Sequence, residues 1–325
     1  MNENLRTYII PEGPTELGFN WFHAHHQDPA YRAAEYIVVP EGVTTIRYHT
    51  FRFLGQLQAI RIPRSVTTIE QKAILDCKKL SRILVDTGNP TFRDVDGVVF
   101  SKDGTRLIRM PEGREEDCYV VPEGVTLIGH GALHDCHSLR HVHLPASVRS
   151  IDADVFRACH RLQRITVAEG NPDYCAVDGV LYDRARRTLV KVPLALPAEA
   201  FAVPDSVEKI AAHAFDGCDK LDEIRLPDTL RSIGDYAFCD ISLREIDIPA
   251  SVTEIGKNIF IESEMLEEIR CHIPDPGCLG KDWAGFYPCR LFGPATLRVP
   301  AAAMEAYRSL PELGRLCCIE PLPEE

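Results

Sequence analysis

One apolar pattern recurs along this 325-residue chain at a spacing of 23 residues. Its consensus form is P-x-x-V-x-x-I-G-x-x-A-F-x-x-C-x-x-L-x-x-I-x-I, and the copy from Pro122 to Pro145 shows it clearly. Other copies begin at Pro40, Pro63, Pro145, Pro204, Pro227 and Pro249. A repeat of this length buries its apolar side chains only by stacking on its neighbours. The sequence therefore predicts an α/β-type repeat solenoid.

Two of the repeats carry a long insertion. Pro63 and Pro122 are 59 residues apart, and so are Pro145 and Pro204. The inserted segments align with each other at an offset of 82 residues, as GNPTFRDVDGVVFSKDGTRLIRMP and GNPDYCAVDGVLYDRARRTLVKVP. Both contain Asp-Gly between β-favouring residues, which is typical of hairpin turns. We predict a duplicated block with two β-hairpin inserts, at about 86–117 and 168–199.

The repeats continue through almost the whole chain, so we predict a single domain over residues 1–325. A degenerate first copy forms an amino-terminal capping repeat (1–35), the repeats occupy 36–273, and a carboxyl-terminal cap occupies 274–325. Within that cap, ATLRVP is predicted to be the final strand, and the AAAMEAYRSL segment after it a short helix.

The formal net charge of −12 excludes a general nucleic-acid or anionic-membrane binder, because such proteins are normally basic. No apolar run approaches the length of a membrane span, so no membrane insertion is expected. The start, MNENLRTYII, lacks the basic and apolar regions of a secretion signal. We therefore predict a cytoplasmic protein.

Four of the twelve cysteines occupy the same repeat position: Cys77, Cys136, Cys159 and Cys218. A small, buried, reduced side chain suffices there. A second group lies near the end of the chain: Cys271, Cys278, Cys289, Cys317 and Cys318. This group contains no C-x-x-C pair, so we predict a cap without metal rather than a zinc site.

Two further clusters could ligate metals. His23, His25 and His26 are predicted to be solvated loop residues, because nothing fixes their geometry. Asp94, Asp96 and Asp103 lack the spacing and the glutamate of a calcium loop, and turn aspartates are the commoner explanation. No cofactor is predicted.

The repeats resemble the leucine-rich repeats of the BspA-like class. The resemblance is carried by IPRSVTTIEQKAILDCKKLSRI (62–83), LPASVRSIDADVFRACHRLQRI (144–165) and VPDSVEKIAAHAFDGCDKLDEI (203–224). It implies a horseshoe whose LxxIxI strands form a parallel sheet on the concave face, with short strands, turns, 3-10 or helical segments on the convex face. Proteins of this class are mostly cell-surface proteins tied to adhesion. The resemblance implies no catalytic residues.

Side chains alternate along a strand, so the residues between the buried positions are expected to face solvent on the concave face. From this ladder we predict the following partner-binding residues: Arg61, Arg82, His141, His143, Arg164, Glu223, Arg225, Glu245, Asp247 and Glu268. Arginines occupy the early rungs and carboxylates the later ones. The hypothesis is a partner that binds in a set direction with salt-sensitive affinity.

One position of the ladder could support chemistry. Cys118 and His141 are 23 residues apart at equivalent repeat positions, and His143 projects the same way. Adjacent parallel strands would bring them together as a metal site or a Cys/His nucleophile pair.

The functional prediction is a non-enzymatic protein that binds a protein or glycan through its concave sheet. The alternative is a cell-surface or secreted adhesin that binds host matrix. A metal-binding or hydrolytic protein using Cys118, His141 and His143 is a distant third.

Overall fold

The computed structural model describes residues 5–279, 295–310 and 318–323. The chain forms two compact units, one of Met1–Leu139 with Pro145–Arg161 and the other of Arg140–Leu144 with Leu162–Glu325. Both are built from short parallel strands with little helix, so the predicted repeat solenoid is confirmed in the form of a parallel-strand β-solenoid. None of the helices in the described part of the chain is long and apolar enough to span a membrane.

The strands of the first unit are β1 (Thr7–Ile9), β2 (Glu16–Leu17), β3 (Tyr36–Val38), β4 (Thr45–Ile46), β5 (Phe51–Arg52), β6 (Ala59–Ile62), β7 (Thr68–Ile69), β8 (Ile74–Leu75), β9 (Arg82–Val85), β10 (Phe92–Val95), β11 (Val98–Ser101), β12 (Arg106–Arg109), β13 (Cys118–Val120), β14 (Leu127–Ile128) and β16 (Ser150–Ile151). Its helices are α1 (Phe19–His25) and α2 (Pro29–Arg32).

The strands of the second unit are β15 (His141–Leu144), β17 (Arg164–Val167), β18 (Tyr174–Val177), β19 (Val180–Asp183), β20 (Thr188–Lys191), β21 (Ala200–Ala202), β22 (Lys209–Ile210), β23 (Glu223–Arg225), β24 (Ser232–Ile233), β25 (Glu245–Ile248), β26 (Glu254–Ile255), β27 (Glu268–Cys271), β28 (Thr296–Val299) and β29 (Cys318–Pro321). It also contains 3-10 turns at Pro276–Leu279 and Ala301–Ala303, and helix α3 (Met304–Arg308).

Each repeat supplies strands to separate parallel sheets. In the first unit the LxxIxI strands pair in the order β1-β3-β6-β9, while the VxxI strands pair as β2-β4-β7. The second unit pairs β25-β27-β28-β29 from the LxxIxI motif and β20-β22-β24-β26 alongside the VxxI motif. Because equivalent residues stand opposite one another, such as Ile233 and Ile255, the register equals the repeat length.

The core follows the repeat. Most of the apolar repeat positions are buried, although Ile69, Ile151 and Ile255 are only half-buried. The aromatic position forms a column in the second unit, where the rings of Phe215, Phe238 and Phe260 stack with centroids 5.2 and 5.6 Å apart. Offset stacking of this kind adds to the burial of apolar area. The stack explains the large ring at this position in the second unit, whereas the first unit also accepts Ile74 and Leu133.

The four repeat-position cysteines are buried, as predicted. Three of them also have a role that the sequence did not indicate. The thiols of Cys77, Cys159 and Cys218 donate to the carbonyls of Phe51, Leu133 and Val192 at 3.7, 3.0 and 3.6 Å. Each acceptor lies 26 residues earlier, so the weak S–H donor satisfies a buried carbonyl of the preceding turn. Burial raises the pKa of the Cys77 and Cys218 thiols to about 12.

The glycines of the I-G pair are required by close packing rather than by a left-handed turn conformation. Neither Gly234 nor Gly256 has a positive φ. A Cβ on Gly234 would lie 2.5 Å from the nitrogen of Ala212, and one on Gly256 would lie 2.4 Å from the nitrogen of Asp235. Glycine is needed because the backbones of successive turns approach too closely for a side chain.

The inserts form antiparallel strands that return to the parallel sheets. Strands β10, β11 and β12 pair antiparallel in sequence, and β12 then pairs parallel with β14. Strands β18, β19 and β20 repeat the arrangement before β22. Asn89 anchors the first insert: its buried amide donates to the carbonyls of Pro63 and Val66 and accepts from Thr91 N–H and Phe92 N–H.

Two segments differ from the predictions. The residues around His23 form helix α1 rather than a loop. Ring contacts four residues apart support the helix, since His25 and His26 stack on Trp21 and Phe22 while His23 meets Phe19 edge to face. The ATLRVP segment forms β28 but is not the final strand, since β29 pairs parallel with it.

Every complete turn also contains two left-handed positions, four residues apart. The pairs are His49 and Phe53, Lys72 and Asp76, Gly131 and Asp135, Asp154 and Ala158, His213 and Gly217, Tyr236 and Asp240, and Asn258 and Glu262. Only two of these residues are glycine, so most turns accept a conformation that is unfavourable for L-residues. The turn, rather than the type of residue in it, therefore determines the left-handed backbone conformation.

We expect Ala158→Gly to stabilise the protein by about 1 kcal/mol, because alanine at φ 57° pays a cost that glycine avoids. Urea unfolding measures the change. Ala146→Gly is the matched control: Ala146 is also half-buried but lies outside the left-handed region, so the substitution should destabilise. Equal effects of the two substitutions would contradict the assigned turn geometry.

Candidate functional site

The outward side chains of the LxxIxI strands form the candidate site. The alternation is clear in β25, where Glu245 and Asp247 are exposed while Ile246 and Ile248 are buried. The register places Glu245 opposite Glu268, and Asp247 opposite Arg270. The next strand places Arg298 opposite Arg270, and β29 places Glu320 opposite Arg298. We call the outward residues of β25, β27, β28 and β29 the charged ladder.

Arg270 is the centre of the charged ladder. Its Nε and Nη2 donate to the two carboxylate oxygens of Asp247 at 2.8 and 2.9 Å, a bidentate pairing. Its Nη1 donates to Glu245 at 2.9 Å and to Glu268 at 3.0 Å. Planar guanidinium groups suit this geometry, which fixes the three carboxylates as well as the arginine.

Arg298 extends the network across the next strands. It donates to Glu268 at 2.7 Å and lies 2.9 Å from Glu320. Hydrogen bonds from Arg270 lower the pKa of Glu245 and Asp247, and hydrogen bonds from Arg298 and then Arg270 lower that of Glu268. The later rungs therefore carry carboxylates and guanidinium groups side by side, whereas the predicted partner-binding residues there are acidic apart from Arg225.

The remaining predicted residues of the second unit lie on the same kind of face. His141 and His143 each place a ring nitrogen within 2.7 and 2.9 Å of the Thr166 hydroxyl. Thr166 was a rung of the predicted ladder, but its role in orienting both imidazoles appears only in the structure. Glu223 and Arg225 form an exposed ion pair on β23, at 2.5 Å.

In the first unit, Arg61 and Arg82 are exposed on β6 and β9. Arg61 lies 3.5 Å from Asp86. The insert borders the site at β9, since Ile83 N–H donates to Gly97 O, and Val85 N–H donates to the Asp94 carboxylate at 2.7 Å. The turn at Gly97 packs so closely that a Cβ there would lie 2.8 Å from the Arg82 Cα.

The second insert has the same relation to Arg164. Ile165 N–H donates to Gly179 O, and a Cβ on Gly179 would lie 2.8 Å from the Arg164 Cβ. Each insert therefore occupies the sheet edge beside its strand and flanks one of the predicted arginines. The sequence predicted the inserts, but it did not predict that they lie beside these arginines.

The aspartates of the first insert take part in turns. Asp94 accepts from Val85 N–H and Gly97 N–H, and Asp103 accepts from the Ser101 hydroxyl and from Thr105. Asp96 pairs with Arg114 at 2.8 Å. These contacts agree with the turn interpretation of the three residues.

Two sequence hypotheses concern other cysteines. Cys118 is exposed on β13 in the first unit, whereas His141 and His143 belong to the second, and their proposed pairing stays a prediction. In the carboxyl-terminal cap, Cys271 is buried with its sulfur 3.3 Å from the Tyr307 hydroxyl, and Cys318 is exposed. Cys289, Cys317 and the side chain of Cys278 lie outside the described residues.

We expect Arg270→Met to make the free energy of unfolding depend less on pH in the acid range. Glu245 and Asp247 have folded pKa values below their unfolded values, so their stabilisation is present above about pH 4 and is lost as the pH falls further. Without Arg270 that loss shrinks, and the variant is less stable than wild type at neutral pH. Thermal unfolding from about pH 7 to pH 2 measures both effects.

Arg244→Met is the control, because the Arg244–Glu267 ion pair lies outside the network and is about two-thirds exposed on both sides. Its pH profile should match that of wild type. A profile of Arg270→Met parallel to wild type would show that the network does not couple protonation to folding.

The chain is similar to several solved leucine-rich repeat proteins. A solved leucine-rich repeat protein from Eubacterium ventriosum is 20% identical, with 91% of this chain and 75% of that chain covered and a TM-score of 0.62. The pneumococcal vaccine antigen PcpA is 17% identical, with coverage of 90% and 89% and a TM-score of 0.47. A leucine rich cell surface protein from Faecalibacterium prausnitzii is 22% identical, with coverage of 90% and 88% and a TM-score of 0.38.

No match was found among the curated proteins. The family model of the BspA type leucine rich repeat region matches six copies, over residues 29–112, 118–174 and 196–274. These ranges cover more than half of the chain and contain most of the strands that carry the predicted ladder. The chain therefore belongs to the BspA-type leucine-rich repeat family.

Proposed function

We propose that this is a non-enzymatic binding protein that recognises a protein partner through the outward face of its LxxIxI strands. The observation that carries the proposal is the charged ladder, in which Arg270 and Arg298 are held by carboxylates on neighbouring strands. Arginine is enriched at protein interfaces, and a side chain already fixed loses little entropy on binding. The surface is therefore preorganised for contact.

The chemistry of the ladder favours a protein over a purely apolar ligand. Glu245, Asp247 and Glu320 remain about half exposed or more while they pair with arginine. Carboxylates and guanidinium groups thus alternate across strands that are about 4.8 Å apart. A protein surface of mixed charge matches this spacing, and such complementarity determines specificity and association rate. A glycan, bound through its hydroxyls, is the second candidate.

The charge-reversal variant Glu245→Lys with Asp247→Lys tests the proposal. Partners are first captured from native cell extract by photo-crosslinking through a probe placed at Thr296, a neighbouring rung, and the captured protein is then purified. We expect the variant to bind it at least about 10-fold more weakly than wild type at low salt, with a smaller difference at high salt.

The control is Asp228→Lys with Glu254→Lys, which makes the same charge change at exposed positions outside the charged ladder. Circular dichroism verifies that both variants fold, since the first removes two partners of Arg270. Equal affinity of the two variants for the captured protein would place the binding surface elsewhere.

The alternative function is a cell-surface or secreted adhesin that binds host matrix. Membership of the BspA-type family favours it. Protease shaving of intact native cells distinguishes the two cellular settings. Loss of the protein while a cytosolic control survives supports the adhesin, whereas survival until lysis supports an intracellular binding protein.

A further inference from the structure

The internal duplication allows one buried position to be compared between the two units. At an offset of 82 residues, Lys191 and Leu194 of the second unit are the equivalents of Arg109 and Glu112 of the first. The Lys191 ammonium donates to the carbonyls of His213 and Asp216, at 2.8 and 3.0 Å. Leu194 is buried against Gly217, where an added Cβ would lie 2.8 Å from it. The second unit therefore fills this position with an apolar side chain and satisfies its buried cation.

The first unit keeps the backbone arrangement but changes the chemistry. Arg109 donates to Gly131 O at 2.9 Å, the equivalent of the bond from Lys191 to His213. Glu112 replaces the leucine and is only 2% exposed. Gly113 holds it there by close approach, since a Cβ on Gly113 would lie 2.4 Å from the carbonyl carbon of Lys79.

One oxygen of Glu112 accepts a hydrogen bond from Cys77 N–H. The other, Oε2, is buried without a hydrogen-bond partner, and so are Nε and Nη2 of Arg109. An unsatisfied buried carboxylate oxygen is costly. This position therefore contains polar atoms that the fold alone does not explain.

Two more side chains that could ligate a metal lie beside Glu112. Asp135 is 8% exposed, and its Oδ2 lies 2.7 Å from Nδ1 of His134. His137 is half-buried two residues later. Among the described residues, Glu112, Asp135 and His137 form the group whose ligand atoms, one from each side chain, all lie within 4.8 Å of one another. Their equivalents in the second unit, Leu194, Gly217 and Asp219, do not reproduce this set of donors.

We propose that Glu112, Asp135 and His137 bind one divalent transition-metal ion. Two carboxylate oxygens and one imidazole nitrogen are a donor set typical of Zn²⁺, Mn²⁺, Fe²⁺ or Co²⁺. Ligands at about 2.0–2.2 Å from a common ion stand about 3–4.4 Å apart, so a small closure of the side chains suffices.

Burial acts on the charged forms of two of these side chains. It raises the pKa of Glu112 to about 7 and lowers the pKa of His137. Asp135 has a lowered pKa because the hydrogen bond and charge of His134 outweigh its burial.

The test uses the full chain without a polyhistidine tag, stripped with a chelator and dialysed. Isothermal titration with Zn²⁺ and Co²⁺ measures affinity, and thermal unfolding measures stabilisation. We expect one ion to bind through this site, with a rise in Tm because the ion binds only the folded state. Glu112→Leu should weaken that binding at least about 100-fold.

Glu112→Leu introduces the residue that the duplicated unit has at this position, so the variant should fold. Its Tm in the absence of metal is the baseline for the metal-dependent rise, because the substitution removes an unsatisfied carboxylate oxygen and also the acceptor of Cys77 N–H. His137→Ala should also lose the metal-dependent rise in Tm. His49→Ala, which removes a histidine outside the cluster, should keep it.

Three results would overturn the proposal. One is metal affinity that is unchanged in both Glu112→Leu and His137→Ala. Another is a Co²⁺ spectrum with thiolate charge-transfer bands that persist in both variants, which would assign the bound ion to cysteine ligands instead. The third is a wild-type chain that shows neither a change in Tm nor a heat of binding with millimolar Zn²⁺ or Co²⁺.

Discussion

The structure depends on the close stacking of successive turns at a fixed repeat length. Each turn pairs its backbone with the next in the same register, and its apolar side chains lie directly over their equivalents. Stacking leaves so little space that Gly234 and Gly256 are required where backbones meet. It also imposes two left-handed residues on each turn, even where the residue is lysine, histidine or tyrosine. The energy of the stack compensates for conformations that an isolated turn would avoid.

The same constraint produces the candidate binding surface. Parallel strands in register place residues 22 to 30 positions apart side by side, so a guanidinium on one strand meets carboxylates on its neighbours. Arg270 and Arg298 gain their fixed geometry from this arrangement and not from their local sequence. The inserts then border the surface, because each occupies the edge of the strand that precedes it.

Duplication of a two-repeat block with its insert created two copies of one backbone arrangement, and the copies have diverged in chemistry. In the second copy the Lys191 ammonium is hydrogen-bonded, and Leu194 fills the buried position with an apolar side chain. Arg109 and Glu112 place a charged pair in the same environment and leave several polar atoms unsatisfied. Since the second copy shows that an apolar solution fits, stability alone does not account for Glu112.

The sequence by itself determined the parallel-strand solenoid, the positions of the buried residues and the alternation that exposes Glu245 and Asp247, because a periodic apolar pattern has one way to be buried repeatedly. It also located both inserts through their equal lengths. Only the tertiary structure decided which charges pair, since Arg270 meets Asp247 across 23 residues of chain. It likewise decided that Glu112 lies beside Asp135 and His137: Asp135 follows Glu112 by one repeat length of 23 residues, but Glu112 belongs to an insert, where the apolar pattern assigns no register.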